Sequence, residues 1–164
     1  MATKKQYTAE TWLAKYYPVP VEKLPKRITK LELIRHALRK WLGLRKAVLK
    51  RYGLMAQDGA VYTCVFFNGI ASADEHVLAI NGESCGLCMK YCKTPENTCA
   101  KCPLYAVLGN RKCDDDHDYV SMLSFTGPYI IFTRYNDPEP MINMLRKAER
   151  VELAHLAKRK QSKA

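Results

Sequence analysis

Acidic residues are scarce in this chain of 164 residues. Asp and Glu number 16 against 27 Lys and Arg, a formal net charge of +11 and a pI of about 9.4. That balance selects anionic partners, either phosphate backbones or an acidic protein face. Long apolar runs are also missing. Nothing approaches the roughly 18 uncharged apolar residues that a membrane helix needs, so no span and no membrane partner is expected. Lysines follow Met1, but no apolar stretch or small-residue cleavage site comes after them, so no secretory signal is expected and the chain is read as cytosolic. Gly and Pro are few, 8 of each, and 48% of residues are hydrophobic, which excludes collagen-like and disordered chains and supplies a core.

Several enzyme signatures are absent. There is no phosphate-cradling Gly-rich loop and no His-Glu-x-x-His, and no His-x-Glu occurs to serve a zinc deaminase. The run Cys113-Asp114-Asp115-Asp116-His117-Asp118 offers carboxylates and an imidazole for a metal-dependent nuclease, but it reads more simply as a solvated acidic loop. No small-molecule substrate is evident, and the chain is expected to bind rather than to catalyse.

The positive charge is unevenly placed. Residues 1–53 carry 14 Lys and Arg against 3 acids, whereas residues 54–136 carry 6 against 9. Prolines 18, 20 and 25 forbid a continuous helix near the N-terminus, so residues 1–28 read as an extended arm with a short helix around 8–16. Thr29 and Glu32 form a capping-box signature, and Ile34, Leu38, Trp41 and Leu42 recur at helical spacing. The spacing predicts a helix from about residue 30, broken near Gly43 and stopped by Gly53. Its outer side would present Arg35, Arg39, Lys40, Arg45, Lys46, Lys50 and Arg51. Residues 29–157 form the single expected domain, and 158–164 a fraying basic tail.

Val61–Phe67 is β-branched and aromatic between Asp58-Gly59 and Asn68-Gly69, and so reads as a strand. Val77–Ile80 reads as a second strand, and Tyr119–Tyr135 as two strands meeting at Gly127-Pro128, the second being Tyr129–Thr133. Leu104–Leu108 has room for a helical turn. Asp137-Pro138-Glu139 opens a C-terminal amphipathic helix through Met141, Ile142, Leu145, Ala148 and Leu153. His36 and His155 read as surface residues on helices and His76 as a loop residue. Trp12, Tyr16 and Tyr17 read as packing of the arm against the domain.

Cysteine is abundant, with 7 residues, and six of them fall between positions 85 and 113. In a reducing compartment such density argues for metal rather than disulfides. Cys85-x-x-Cys88 and Cys99-x-x-Cys102 each let one turn present two sulfurs to a metal, and two turns close a tetrahedron. Zinc on Cys85, Cys88, Cys99 and Cys102 is the expected site, with Cys113 and then Cys92 in reserve because each closes a longer loop. An iron–sulfur cluster is the alternative metal group. Cys64 reads as a core residue. The expected fold is therefore α+β: a small antiparallel sheet with a zinc knuckle, flanked by basic N-terminal helices and a C-terminal amphipathic helix.

The run Cys85-x-x-Cys88, Cys99-x-x-Cys102-Pro103-Leu104, Gly109 and Cys113, with Pro140-Met141-Ile142 opening the last helix, resembles small cysteine-rich proteins of tailed bacteriophages. The likeness covers roughly residues 30–150 and includes Trp41-x-Gly43-Leu44 and Tyr52-Gly53-Leu54. It implies expression in a host bacterial cytoplasm and strengthens Cys113 as a ligand. It also implies action on the host or on nucleic-acid metabolism. The expected function is a non-catalytic, zinc-binding accessory protein that holds nucleic acid on its basic helical face. The alternatives are an inhibitor or modulator docking that face on an acidic host protein, and the nuclease.

Overall fold

The computed structural model describes residues 7–92, 99–115 and 126–162. The described chain is α+β: seven helices surround one three-stranded antiparallel sheet in the order β1-β2-β3. Helix α1 (Ala9–Tyr16) starts at Thr8 and Thr11, whose side chains cap each other's backbone N–H groups. Helix α2 (Lys30–Gly43) starts with the capping box of Thr29 and Glu32, as the sequence indicates. Its apolar stripe, Leu33, Ile34, Ala37 and Trp41, is buried in the core. The helix ends at Gly43 and α3 (Lys46–Arg51) follows after a break of two residues. Gly43 is where α1 comes closest to the break. A Cβ on Gly43 would fall 2.7 Å from Cβ of Tyr16, and the indole N–H of Trp12 donates to the Gly43 carbonyl at 3.0 Å.

The segment read as an arm is thus part of the core. Trp12 is fully buried, Tyr17 and Val21 are buried too, and a 3₁₀ turn, Val21–Lys23, joins α1 to the approach to α2. Of the histidines, His155 is exposed as expected, whereas His36 is half-buried with Nε2 against the Val19 carbonyl at 2.7 Å. His76 lies in a strand rather than a loop.

Strands β1 (Leu54–Gln57), β2 (Ala60–Phe67) and β3 (Ile70–Ala79) form two hairpins. Their turns, Asp58-Gly59 and Asn68-Gly69, have positive φ at both central residues, the conformation that matches strand twist and that Asn/Asp-Gly pairs adopt readily. Strand β3 runs far beyond the expected Val77–Ile80, because pairing with β2 recruits a stretch whose own β propensity is low. The distal ends of β2 and β3 are exposed on both faces.

Residues 129–133, expected as a strand, lie in helix α6 (Pro128–Tyr135). Pro128 presets the first helical φ, Phe132 buries its ring edge-on against Trp41 with centroids 5.0 Å apart, and Asn136 ends the helix in the left-handed conformation. Residues 119–125 of the other expected strand lie outside the described part. Two short helices, α4 (Gly86–Tyr91) and α5 (Pro103–Val107), carry the cysteines, and α7 (Glu139–Gln161) packs its Met141, Ile142, Leu145 and Ala148 against α2. Helix α7 continues to Gln161, through part of the basic segment expected to fray. The Asp137 carboxylate accepts from the Glu139 N–H at 3.0 Å and so closes its first turn. Among the described residues no helix is long and apolar enough to cross a membrane.

Because Trp12 joins α1 to the α2–α3 break, Trp12→Ala should destabilise the whole domain by about 3–5 kcal/mol, the range for deleting a buried aromatic. Denaturant unfolding followed by far-UV circular dichroism measures it. A loss below about 1 kcal/mol would make α1 a peripheral arm.

Candidate metal centre

Cys85, Cys88 and Cys92 lie three and four residues apart around α4, a spacing that puts all three side chains on one side of the helix. Cys102 stands at the N-terminus of α5, and its N–H donates to the Cys99 carbonyl at 2.7 Å. Cys99 itself has φ +46°, a conformation uncommon for a residue other than Gly, Asn or Asp. Cys113 is fixed through its carbonyl, which accepts the Tyr129 N–H at 2.9 Å at the start of α6.

All six cysteines line one cavity of about 520 Å³, together with Lys40, Trp41 and Leu104. Within it the sulfurs approach one another in two groups. Cys88 interacts electrostatically with Cys85 and Cys113, while Sγ of Cys92 and Sγ of Cys99 are 2.8 Å apart. The expected quartet of Cys85, Cys88, Cys99 and Cys102 therefore shares its cavity with both reserve cysteines, and the 2.8 Å contact joins a reserve residue, Cys92, to a main one, Cys99. Among the described residues no group of three or more His, Cys, Asp or Glu is disposed to hold a metal ion. The donor chemistry suits a thiophilic metal, but the sulfurs are not gathered around one point.

Four of these thiols, Cys85, Cys88, Cys99 and Cys102, have raised pKa values. Hydrogen bonding with Cys88 and burial push the Cys85 thiol well up, and bonding to Cys113 does the same for Cys88. Burial pushes both Cys99 and Cys102 up to about 12. Against them stands Lys40, which the sequence reading placed on the exposed basic side. Lys40 is in fact 1% exposed, because its position follows Ala37 and precedes Trp41 on the inward side of α2. Its Nζ donates to the Ser84 carbonyl at 2.7 Å and to Ser84 Oγ at 3.0 Å, and lies 5.9 Å from the centre of the Tyr17 ring. Burial lowers its pKa, and the opposing electrostatic influences come from Cys85, Cys88 and Cys113. Among the described residues no carboxylate pairs with it.

The turn that receives Lys40 contains the spacing Gly82-Glu83-Ser84-Cys85-Gly86, formally that of a hydrolase nucleophile elbow. Its chemistry is otherwise. Ser84 Oγ accepts from the Asn81 N–H and donates to the Asn81 carbonyl, both at 3.1 Å, and accepts from Lys40, so it is a buried turn hydroxyl. No histidine bonds it among the described residues.

The other expected site residues divide. Arg45 is held by a two-pronged pair with Glu139 at 2.6 and 3.0 Å, and Arg35 by Glu149 at 2.7 Å. Arg39, Lys46, Lys50 and Arg51 are exposed. Asp116, His117 and Asp118 of the nuclease candidate lie outside the described residues. The Asp115 carboxylate accepts the Lys112 N–H at 2.7 Å, a loop contact, and Asp114 is exposed. Cys64, expected in the core, is half-buried on β2 and does not line the cysteine cavity. No protein family, curated protein or solved structure matches this chain.

In the metal-free protein Cys99 and Cys102 bind their protons more tightly when folded than when unfolded. Their contribution is complete below the ordinary thiol value of 9.0 and is lost as pH rises towards about 12. Urea midpoints of the chelator-treated protein should therefore fall over that window, and a Cys99→Ala, Cys102→Ala variant should show a shallower fall. An equal slope in both proteins would remove these thiols from the account.

Proposed function

We propose that the protein is a non-catalytic nucleic-acid-binding protein whose basic α2–α3 face contacts phosphates. The observation that carries this reading is the placement of Arg39, Lys46, Lys50 and Arg51, all exposed and outside any ion pair among the described residues. Helix α7 neutralises two of the seven expected cations, Arg35 and Arg45, and Lys40 is turned inward. The contact surface is therefore these four residues. Docking on an acidic host protein is the second reading, and the exposed Val65, Phe67 and Ile70 at the tip of the β2–β3 hairpin favour it. The resemblance to phage cysteine-rich proteins supports either activity in a bacterial cytoplasm.

Zinc belongs to the same proposal. Lys40 is a buried cation with no carboxylate partner among the described residues, facing six thiols, and thiolates are the counter-charge within reach. Four sulfurs from Cys85, Cys88, Cys99 and Cys102, with Cys113 and Cys92 in reserve, would hold the ion and supply folding energy with no open coordination position.

Two outcomes check these readings. Arg39→Glu combined with Lys46→Glu should abolish binding of random nucleic acid by fluorescence anisotropy, and wild-type affinity should fall steeply between 50 and 200 mM salt, as counterion release requires. Salt-independent binding, or capture of a host protein that survives nuclease treatment without any nucleic-acid binding, would favour the second reading. For the metal, elemental analysis of purified protein should find zinc, with iron and sulfide marking the cluster alternative. Lys40→Met should weaken zinc affinity roughly 10- to 100-fold in chelator competition, as removal of an outer-shell partner does. The metal-free variant should be no less stable than wild type, because it loses a buried charge. Metal-free protein whose melting is unmoved by zinc would end the metal proposal.

A further inference from the structure

The outer side of α3 faces the β2–β3 hairpin across a groove of about 450 Å³. Two kinds of side chain meet there. Lys46 and Lys50 line it from α3, and Phe66 and Tyr135 line it from β2 and the end of α6, while Leu54 and Met55 contribute apolar surface. The register explains why Phe66 is in this groove. Phe66 pairs with Ala71 and so shares a face with it, and both line the groove, whereas Val65 and Phe67 point to the opposite face.

Neither aromatic residue of the groove is buried. Phe66 is 69% exposed and Tyr135 71% exposed, in a chain that buries its tryptophans almost completely. Among the described residues no carboxylate lines the groove, and its charged lining residues, Lys46 and Lys50, are both positive. A site that combines cations with exposed aromatic faces has the two elements by which proteins hold unpaired bases: lysines follow the phosphates and rings stack on the bases. A duplex keeps its base faces stacked internally and offers nothing to Phe66 or Tyr135.

We infer that this groove binds single-stranded nucleic acid, with bases stacked on Phe66 and Tyr135 and phosphates held by Lys46 and Lys50. The inference rests on the nucleic-acid reading above and narrows it to unpaired strands. It assigns no preference between DNA and RNA, because every base has a stacking face.

Anisotropy titrations with labelled dT15, rU15, a blocked hairpin duplex and a poly-glutamate peptide test it. Wild-type protein should bind at least one of the single strands more tightly than the duplex. Phe66→Ala and Tyr135→Ala should each weaken that binding about tenfold, the loss expected for one stacked base, and should leave duplex binding unchanged. Both side chains are largely exposed, so unaltered thermal melts of the variants will exclude unfolding as the cause. Equal binding of strand and duplex, with neither aromatic variant affected, would overturn the groove inference and leave the phosphate-contact reading standing. No binding of any nucleic acid would overturn both. Phe66-dependent binding of poly-glutamate with none of the single strands would assign the groove to an acidic protein segment instead.

Discussion

An ammonium group inside a protein needs acceptors and negative charge, and through Lys40 that requirement ties three parts of this molecule together. Lys40 is carried by α2, its hydrogen bonds end on the turn between β3 and α4, and its field falls on the cysteines around α4 and at Cys113. The turn is itself held by reciprocal bonds between Asn81 and Ser84, so the acceptors are positioned by contacts other than those to the lysine. The sheet, the helical layer and the cysteine cavity therefore share one buried polar contact. An apolar residue at position 40 would join the same elements without any demand for charge. Lysine makes that demand, and the thiols are the groups placed to answer it.

The carboxylates of α7 shape the surface in a complementary way. Glu139, Glu149 and Glu152 pair with Arg45, Arg35 and Lys30 along the line where α7 packs on α2. These pairs are partly exposed and each contributes little stability. Their larger effect is on distribution, since they neutralise Lys30, Arg35 and Arg45 and leave Arg39, Lys46, Lys50 and Arg51 exposed and outside any ion pair among the described residues.

Local signals were legible in the sequence and non-local ones were not. The capping box at Thr29, the stop at Gly53 and the Asn68-Gly69 turn depend on a few adjacent residues, and each appears where expected. Tyr129–Thr133 shows the limit. Its aromatic and β-branched residues favour a strand, yet Phe132 gains a tertiary partner in Trp41 and the Tyr129 hydroxyl donates to the Ile80 carbonyl at 2.8 Å, both from a helix. Lys40 was misplaced for a related reason. A lysine among six other cations looks solvent-facing, and only the turn at Ser84, 44 residues away, makes its burial tolerable. The cysteine pairs were legible as pairs, but their contacts were not, because Cys113 reaches Cys88 through the seat that α6 gives it.

The break at Gly43 lets one stretch of chain serve both cavity and groove. Lys40 and Lys50 are ten residues apart, and on an unbroken helix they would lie within about 80° of each other, at 3.6 residues per turn. A single straight helix would fix that relation between the two lysines, whatever each has to face. Ending α2 where Tyr16 and Trp12 crowd Gly43 gives α3 its own direction. Lys40 can then face the thiols while Lys46 and Lys50 border the groove beside Phe66. The N-terminal helix, whose aromatic residues were read as packing an arm against the domain, braces that division, since its tryptophan holds the carbonyl at the break.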